Sequence, residues 1–204
     1  MSTKLKIAAA VAAAVLLSAC SSPKHEPMPL VNFTPSMEVT EVWSKGLSSA
    51  EGFLVPAVYD DMVFAAGGKT LTRLNARTGE TEWSVSFDSP ITGGVGSDGY
   101  VTAVGLWDGN LEVVDAEGKV SWEKKLTTEL ASPPVVSHGL VIARTMDTRV
   151  SAFEASSGEL QWTYQKSQPA LTVRLPTRML AHDNFLLVGQ PNGHIVILDI
   201  ASGK

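Results

Sequence analysis

Phe153-Glu-Ala-Ser-Ser-Gly-Glu-Leu-Gln-Trp162 decides the fold. It reads as the end of one strand, a four-residue turn closed by Gly158, and a second strand carrying Trp162. The same phrase stands at Leu74-Asn-Ala-Arg-Thr-Gly-Glu-Thr-Glu-Trp83 and, one residue shorter, at Val114-Asp-Ala-Glu-Gly-Lys-Val-Ser-Trp122. A fourth copy opens at Leu198-Asp-Ile-Ala-Ser-Gly203. In each complete copy the tryptophan follows the glycine by four residues. Gly79, Gly118, Gly158 and Gly203 are separated by 39, 40 and 45 residues, and Trp43 precedes Trp83 by 40. A period near 40, punctuated by turns, is the mark of a repeat architecture.

Outward from this phrase, each unit reads as four short strands. In the third, Pro134-Val-Val136 leads to the turn Ser137-His138-Gly139 and then to the apolar run Leu140-Val-Ile-Ala143. A second turn around Met146-Asp-Thr148 leads to Val150-Ser-Ala-Phe153, and Leu160, Trp162 and Tyr164 follow as alternate residues expected to share one face. The other units repeat both turns, with Asp60-Asp61, Asp98-Gly99 and Asp183-Asn184 at the first, and Gly67-Gly68, Asp108-Gly109 and Asn192-Gly193 at the second. Such pairs suit two-residue hairpins, which need positive φ. Strands at about ten-residue spacing, joined this way, describe the blades of an all-β propeller, with β structure expected from Val39 onward. The repeat glycines are expected in the left-handed conformation. Trp43, Trp83, Trp122 and Trp162 are expected to wedge against neighbouring blades as structural residues.

Ahead of the repeats lies a targeting segment. Lys4 and Lys6 precede the apolar stretch Ile7 to Leu17, which at 11 residues is too short to span a bilayer. It ends in Leu17-Ser-Ala-Cys20, which resembles the lipobox of bacterial lipoproteins, and Cys20 is the only cysteine. The resemblance implies cleavage before Cys20 and its acylation, a stable anchor; by the same resemblance, to Gram-negative lipoproteins, Ser21 after it implies the outer membrane. Residues 1–19 are thus expected to be a signal peptide. Residues 20–37, with Pro23, Pro27, Pro29 and Pro35, read as an extended tether, and 38–204 as the propeller. Removing Lys4 and Lys6 leaves 14 basic against 21 acidic residues, with no basic cluster, so nucleic acid is a poor partner.

The phrase Ala-x-x-x-Gly-x-x-x-Trp, over residues 39–204, resembles the PQQ-like propeller repeat shared by pyrroloquinoline-quinone alcohol dehydrogenases and by the BamB family of outer-membrane lipoproteins. The lipobox, the Pro-rich tether and the repeats soon after it are similar to the BamB family. That resemblance implies an eight-bladed, non-catalytic scaffold of the β-barrel assembly machinery, held by lipid at the periplasmic face of the outer membrane and docked on a BamA-type barrel protein. Residues 38–204 hold about four blades, so the chain is expected to be the N-terminal half of such a ring. A closed four-bladed ring, completed by the strand around Trp43, is formally possible.

The step from Gly158 to Gly203 is longer than its neighbours, and the excess falls between Trp162 and Asp183, around Ser167-Gln-Pro-Ala-Leu-Thr-Val-Arg-Leu-Pro176. A loop lengthened in one blade is a natural place for function. Ala170-Leu-Thr-Val-Arg174 resembles the BamB loop of form Leu-x-Leu-Arg that contacts BamA, with Val173 at the second leucine. The resemblance makes Leu171 and Val173 apolar anchors and Arg174 the charged one. On the residues alone, Leu171 and Val173 could equally be an inward-packed strand with Arg174 solvated.

Catalytic signatures are few. His25 lies in the tether, His138 and His182 at the first turns, and His194 after the second, positions that Asp, Asn or Arg fill in other units. No metal-ligand spacing, nucleophile elbow or phosphate loop is present. Gly93-Gly94-x-Gly96 reads as a crowded innermost strand. A quinone dehydrogenase would need a vicinal cysteine pair and a calcium ligand set, so no cofactor, metal or small-molecule substrate is expected. A periplasmic PQQ-dependent oxidoreductase is the alternative, and a propeller binding an unknown ligand the third reading.

Overall fold

The structure, a computed structural model, describes residues 30–31, 36–48, 54–166 and 177–204. Its contacts divide the chain into Met1–Thr40 and Glu41–Lys204. In the first unit the described apolar residues Leu30, Val31, Met37 and Val39 are all exposed.

Within Glu41–Lys204 the described residues form four antiparallel meanders and no helix. The first sheet is β1 (Ala57–Tyr59), β2 (Met62–Gly67), β3 (Thr70–Asn75) and β4 (Thr81–Ser86). The second is β5 (Ile91–Ser97), β6 (Thr102–Leu106), β7 (Asn110–Val114) and β8 (Val120–Lys125). The third is β9 (Val135–Ser137), β10 (Leu140–Arg144), β11 (Val150–Glu154) and β12 (Leu160–Tyr164), and the fourth is β13 (Leu180–His182), β14 (Phe185–Gly189) and β15 (Ile195–Asp199). In every sheet the strands pair in chain order, as the blades of a propeller do.

The turns follow from local chemistry. Asp60, His138 and Asp183 at the first turns, and Gly68, Gly109 and Gly193 at the second, all have positive φ. Thr148 fills the second-turn position of the third sheet at φ 68, unusual for a β-branched residue.

Sheets bury both faces by stacking. Phe64, Ala66 and Leu71 meet Ile91, Val95, Val104 and Val114 between the first and second sheets. Ala103, Leu111 and Val113 meet Val141, Ala143 and Phe153 between the second and third. Leu140, Ile142, Val150 and Ala152 meet Leu186, Val188, Leu198 and Ile200 between the third and fourth. A strand buried on both faces reads as a continuous apolar run, which is why Leu140-Val-Ile-Ala143 shows no alternation. The fourth sheet buries one face, and on the other Leu180, Phe185, Ile195 and Ile197 are 51–68% exposed.

Two expectations are corrected. Residues 41–48 around Trp43 adopt no strand, and among the described residues the first strand begins at Ala57, not near Val39. Trp43 is seated through its indole, whose Nε1–H donates to Ala76 O, without a strand of its own. Leu160 and Trp162 do not share a face. Phe153 pairs with Leu160 and Ala152 with Trp162, so Gln161 is the extra residue of a β-bulge. Leu160 therefore lines a groove with Phe153, Thr163 and the second sheet's Lys124, while Trp162 joins the cluster toward the fourth sheet. The same bulge recurs at Glu82 and Ser121, each time directly before the tryptophan.

Candidate functional site

The repeat phrase builds a joint between successive sheets. Each turn is closed by its glycine: Gly79 N–H donates to Asn75 O at 2.9 Å, Gly158 N–H to Glu154 O at 2.8 Å and Gly203 N–H to Asp199 O at 2.8 Å. In the turn that is one residue shorter, Gly118 N–H donates to Asp115 O at 3.1 Å. The four glycines have φ between 69° and 80°. Asp199 also accepts from Ser202, whose hydroxyl holds its carboxyl below the usual range.

Onto each turn sits the tryptophan of the preceding phrase. Trp43 Nε1–H donates to Ala76 O at 2.8 Å, Trp83 to Ala116 O at 2.9 Å, Trp122 to Ala155 O at 2.8 Å, and Trp162 to Ile200 O at 2.8 Å. The indoles lie flush on the glycines. A Cβ built on Gly79, Gly118, Gly158 or Gly203 would stand 2.6 to 2.8 Å from the ring of Trp43, Trp83, Trp122 or Trp162 respectively. Glycine is required twice over here, by the turn and by the ring. The bulges before Trp83, Trp122 and Trp162 aim those three indoles at the following sheet.

The lengthened segment 167–176 lies outside the described residues, and with it Leu171, Val173 and Arg174; Cys20 does too. The flanks of the segment are described. Tyr164, Val150 and Arg144 are paired across β12, β11 and β10, so β12 leaves its sheet at the end marked by Arg144. Arg144 is 3% exposed, and burial lowers its pKa. Its Nη1–H donates at 2.6 Å to Thr177 Oγ1, and the Thr177 hydroxyl donates to Gly189 O at 3.3 Å. Thr177 is the first described residue after the segment, so a buried guanidinium fixes that foot to the third and fourth sheets. The apolar run legible in the sequence ends at Ala143, one residue short of Arg144, and a cation closing a core strand is the signal it carries.

No group of three or more His, Cys, Asp or Glu that could hold a metal occurs among the described residues. His138 Nδ1 is 2.8 Å from Ser137 Oγ, His182 lies beside Asp183, and His194 accompanies Asn192 in its turn. The glycines of β5 are packed against protein: a Cβ on Gly93 would meet Leu130, on Gly94 Pro133, and on Gly96 the Pro134 carbonyl at 2.0 Å.

The sequence profile described as outer membrane protein assembly factor BamB matches residues 39–90 and 67–204. The chain is 37% identical over 202 residues to the outer membrane protein assembly factor BamB of Burkholderia pseudomallei (strain K96243), covering 96% of this chain and 53% of that protein. It is 32% identical over 195 residues to that of Bordetella pertussis (strain Tohama I), covering 92% and 50%. The chain thus spans about half the length of these curated relatives. Among solved structures, the crystal structure of BamB from Moraxella catarrhalis superposes with a TM-score of 0.65 at 28% identity, over 74% of this chain and 46% of that one. A quinohemoprotein alcohol dehydrogenase from Comamonas testosteroni, at 20% identity and a TM-score of 0.56, shares the fold.

Proposed function

The chain belongs to the family of the outer membrane protein assembly factor BamB, and from that premise we propose that it is a non-catalytic scaffold of the outer-membrane β-barrel assembly machinery. The family match across residues 39–204 carries this reading. Cys20 is the acylated anchor at the periplasmic face of the outer membrane, residues 1–19 are its signal peptide and 20–37 its tether. The partner is a BamA-type barrel protein, met through Leu171, Val173 and Arg174. Two observations support docking through that segment. The stacked sheets form a rigid frame, each locked to the next by a tryptophan. The segment's C-terminal foot is tied to this frame through Arg144 and Thr177. Arginine and large apolar side chains on a fixed base make effective binding anchors. The likeness to quinohemoprotein dehydrogenases speaks for the fold alone.

The test is co-purification from detergent-solubilised envelope. The native chain is expected to bring down a large outer-membrane barrel protein, and Leu171→Ala/Arg174→Ala to lose it while keeping the native thermal midpoint. A double variant that retains the barrel protein removes the loop from the interface; a native chain that brings down no barrel protein removes the scaffold reading for this chain.

A further inference from the structure

Glu112 lies in the middle of β7 and is 7% exposed. Its direct partner on β8 is Glu123, so two carboxylic side chains stand on one rung of the sheet. The equivalent rungs of the neighbouring sheets are hydroxyl pairs. Thr72 on β3 meets Ser84 on β4 with oxygens 3.0 Å apart, and Ser151 on β11 meets Thr163 on β12 at 3.2 Å. In all three sheets the rung's outer member directly follows the repeat tryptophan. Val104, opposite Glu112 on β6, belongs to the apolar cluster joining the first and second sheets. At this seam an acid pair replaces a pair of neutral hydroxyls.

Among the described residues, the charged neighbours of the pair are acidic or engaged elsewhere. Asp108 from the β6–β7 turn and Asp88 from the exit of β4 add negative charge. Lys125 donates to the Asp108 carbonyl, Lys69 to the Asp88 carbonyl at 2.6 Å, and Arg73 is taken by Glu82 at 2.6 Å and by the Ala116 carbonyl at 3.0 Å. Among the described residues no ion pair joins a lysine or arginine to Glu112 or Glu123.

We propose that Glu112 and Glu123 form a proton-held clamp at the seam between the first two sheets, closed while the pair keeps a proton between its carboxyl groups and loosened when it loses it. With the proton, the rung is a hydrogen bond like its hydroxyl counterparts. Without it, like charges stand directly opposite in a cross-strand pair, which is destabilising. Burial first, then the charge and hydrogen bond of Glu123, then Asp108 and Asp88, push the Glu112 carboxyl up from 4.5 to about 7. The folded chain therefore holds a proton that the unfolded chain releases near 4.5. Linkage then makes the clamp's contribution greatest at acid pH, declining as pH rises toward about 7 and lost above it.

The test compares the full chain, Glu112→Gln, and Glu112→Thr/Glu123→Ser, which recreates the hydroxyl rung. Thermal midpoints are read from about pH 5 to 8.5, with amide exchange in β7 and β8 against β11 and β12 after correction for intrinsic rates. In the native chain, protection of β7 and β8 is expected to fall across this range by at least about tenfold relative to β11 and β12, the equivalent of one pKa unit. Both variants are expected to flatten that fall and the accompanying slope in midpoint. Parallel curves for the native chain and the variants overturn the clamp. Should Glu112→Gln fail to fold, Glu123→Gln gives the same two readings.

Discussion

Gly158 carries two constraints that a substitution separates. Its φ of +71° is costly for any residue with a Cβ, by about 1–2 kcal/mol. The added carbon would also stand 2.8 Å from Trp122 Cδ2, so the indole must leave its seat. Trp122→Ala alone is expected to cost ~3–5 kcal/mol, as large aromatic truncations do. Once the ring is gone, Gly158→Ala has only the backbone cost left. The double variant is therefore expected to be less destabilised than the two singles added together, measured by chemical denaturation. Strict additivity would show that indole and glycine do not form one joint.

The bulge belongs to the scale of the strand. Gln161 has no partner on β11, yet its presence decides which face Trp162 takes, because one residue more or less in a strand turns every later side chain over. Deleting Gln161 is expected to destabilise about as much as Trp162→Ala, while Gln161→Ala is expected to stay within about 0.5 kcal/mol of the native chain. Equal tolerance of the deletion and the alanine would mean that β12 can reach its seat in another register. This element also shows where the sequence was legible and where it was not. The Gly-x-x-x-Trp phrase and the turn pairs stand at fixed spacing in one chain, so strand order and the joint's residues could be read directly. The bulge, the Leu160 face and the facing of Glu112 with Glu123 depend on which residue of one strand stands opposite which of another. No spacing within a strand encodes that. Trp43 was legible as a repeat residue but not as a residue without a strand, since a strand needs a neighbour and a docked ring does not. Nor did the sequence mark Arg144 as the brace of Thr177, a contact across 33 positions.

At the scale of the molecule, the sheets form a nearest-neighbour array whose stability is the sum of its seams. The fourth sheet's outer face, with Leu180, Phe185, Ile195 and Ile197, takes no part in any seam among the described residues. Such a contiguous apolar patch promotes association. Ile195→Ser/Ile197→Thr is expected to raise the concentration at which the chain stays dispersed, by light scattering, and to leave the thermal midpoint nearly unchanged. A large fall in midpoint would mean that this face is packed in solution. The joint that builds the array has a direction: between sheets, the indole of Trp83, Trp122 or Trp162 belongs to one sheet and the glycine to the one after it. Neither half can satisfy itself, and two like ends offer each other nothing. A coupling of this head-to-tail kind sets no number of members, and either closes a ring or continues indefinitely. How many blades complete a circle is therefore written in the small rotation from each sheet to the next, while the lock between them stays the same at every step.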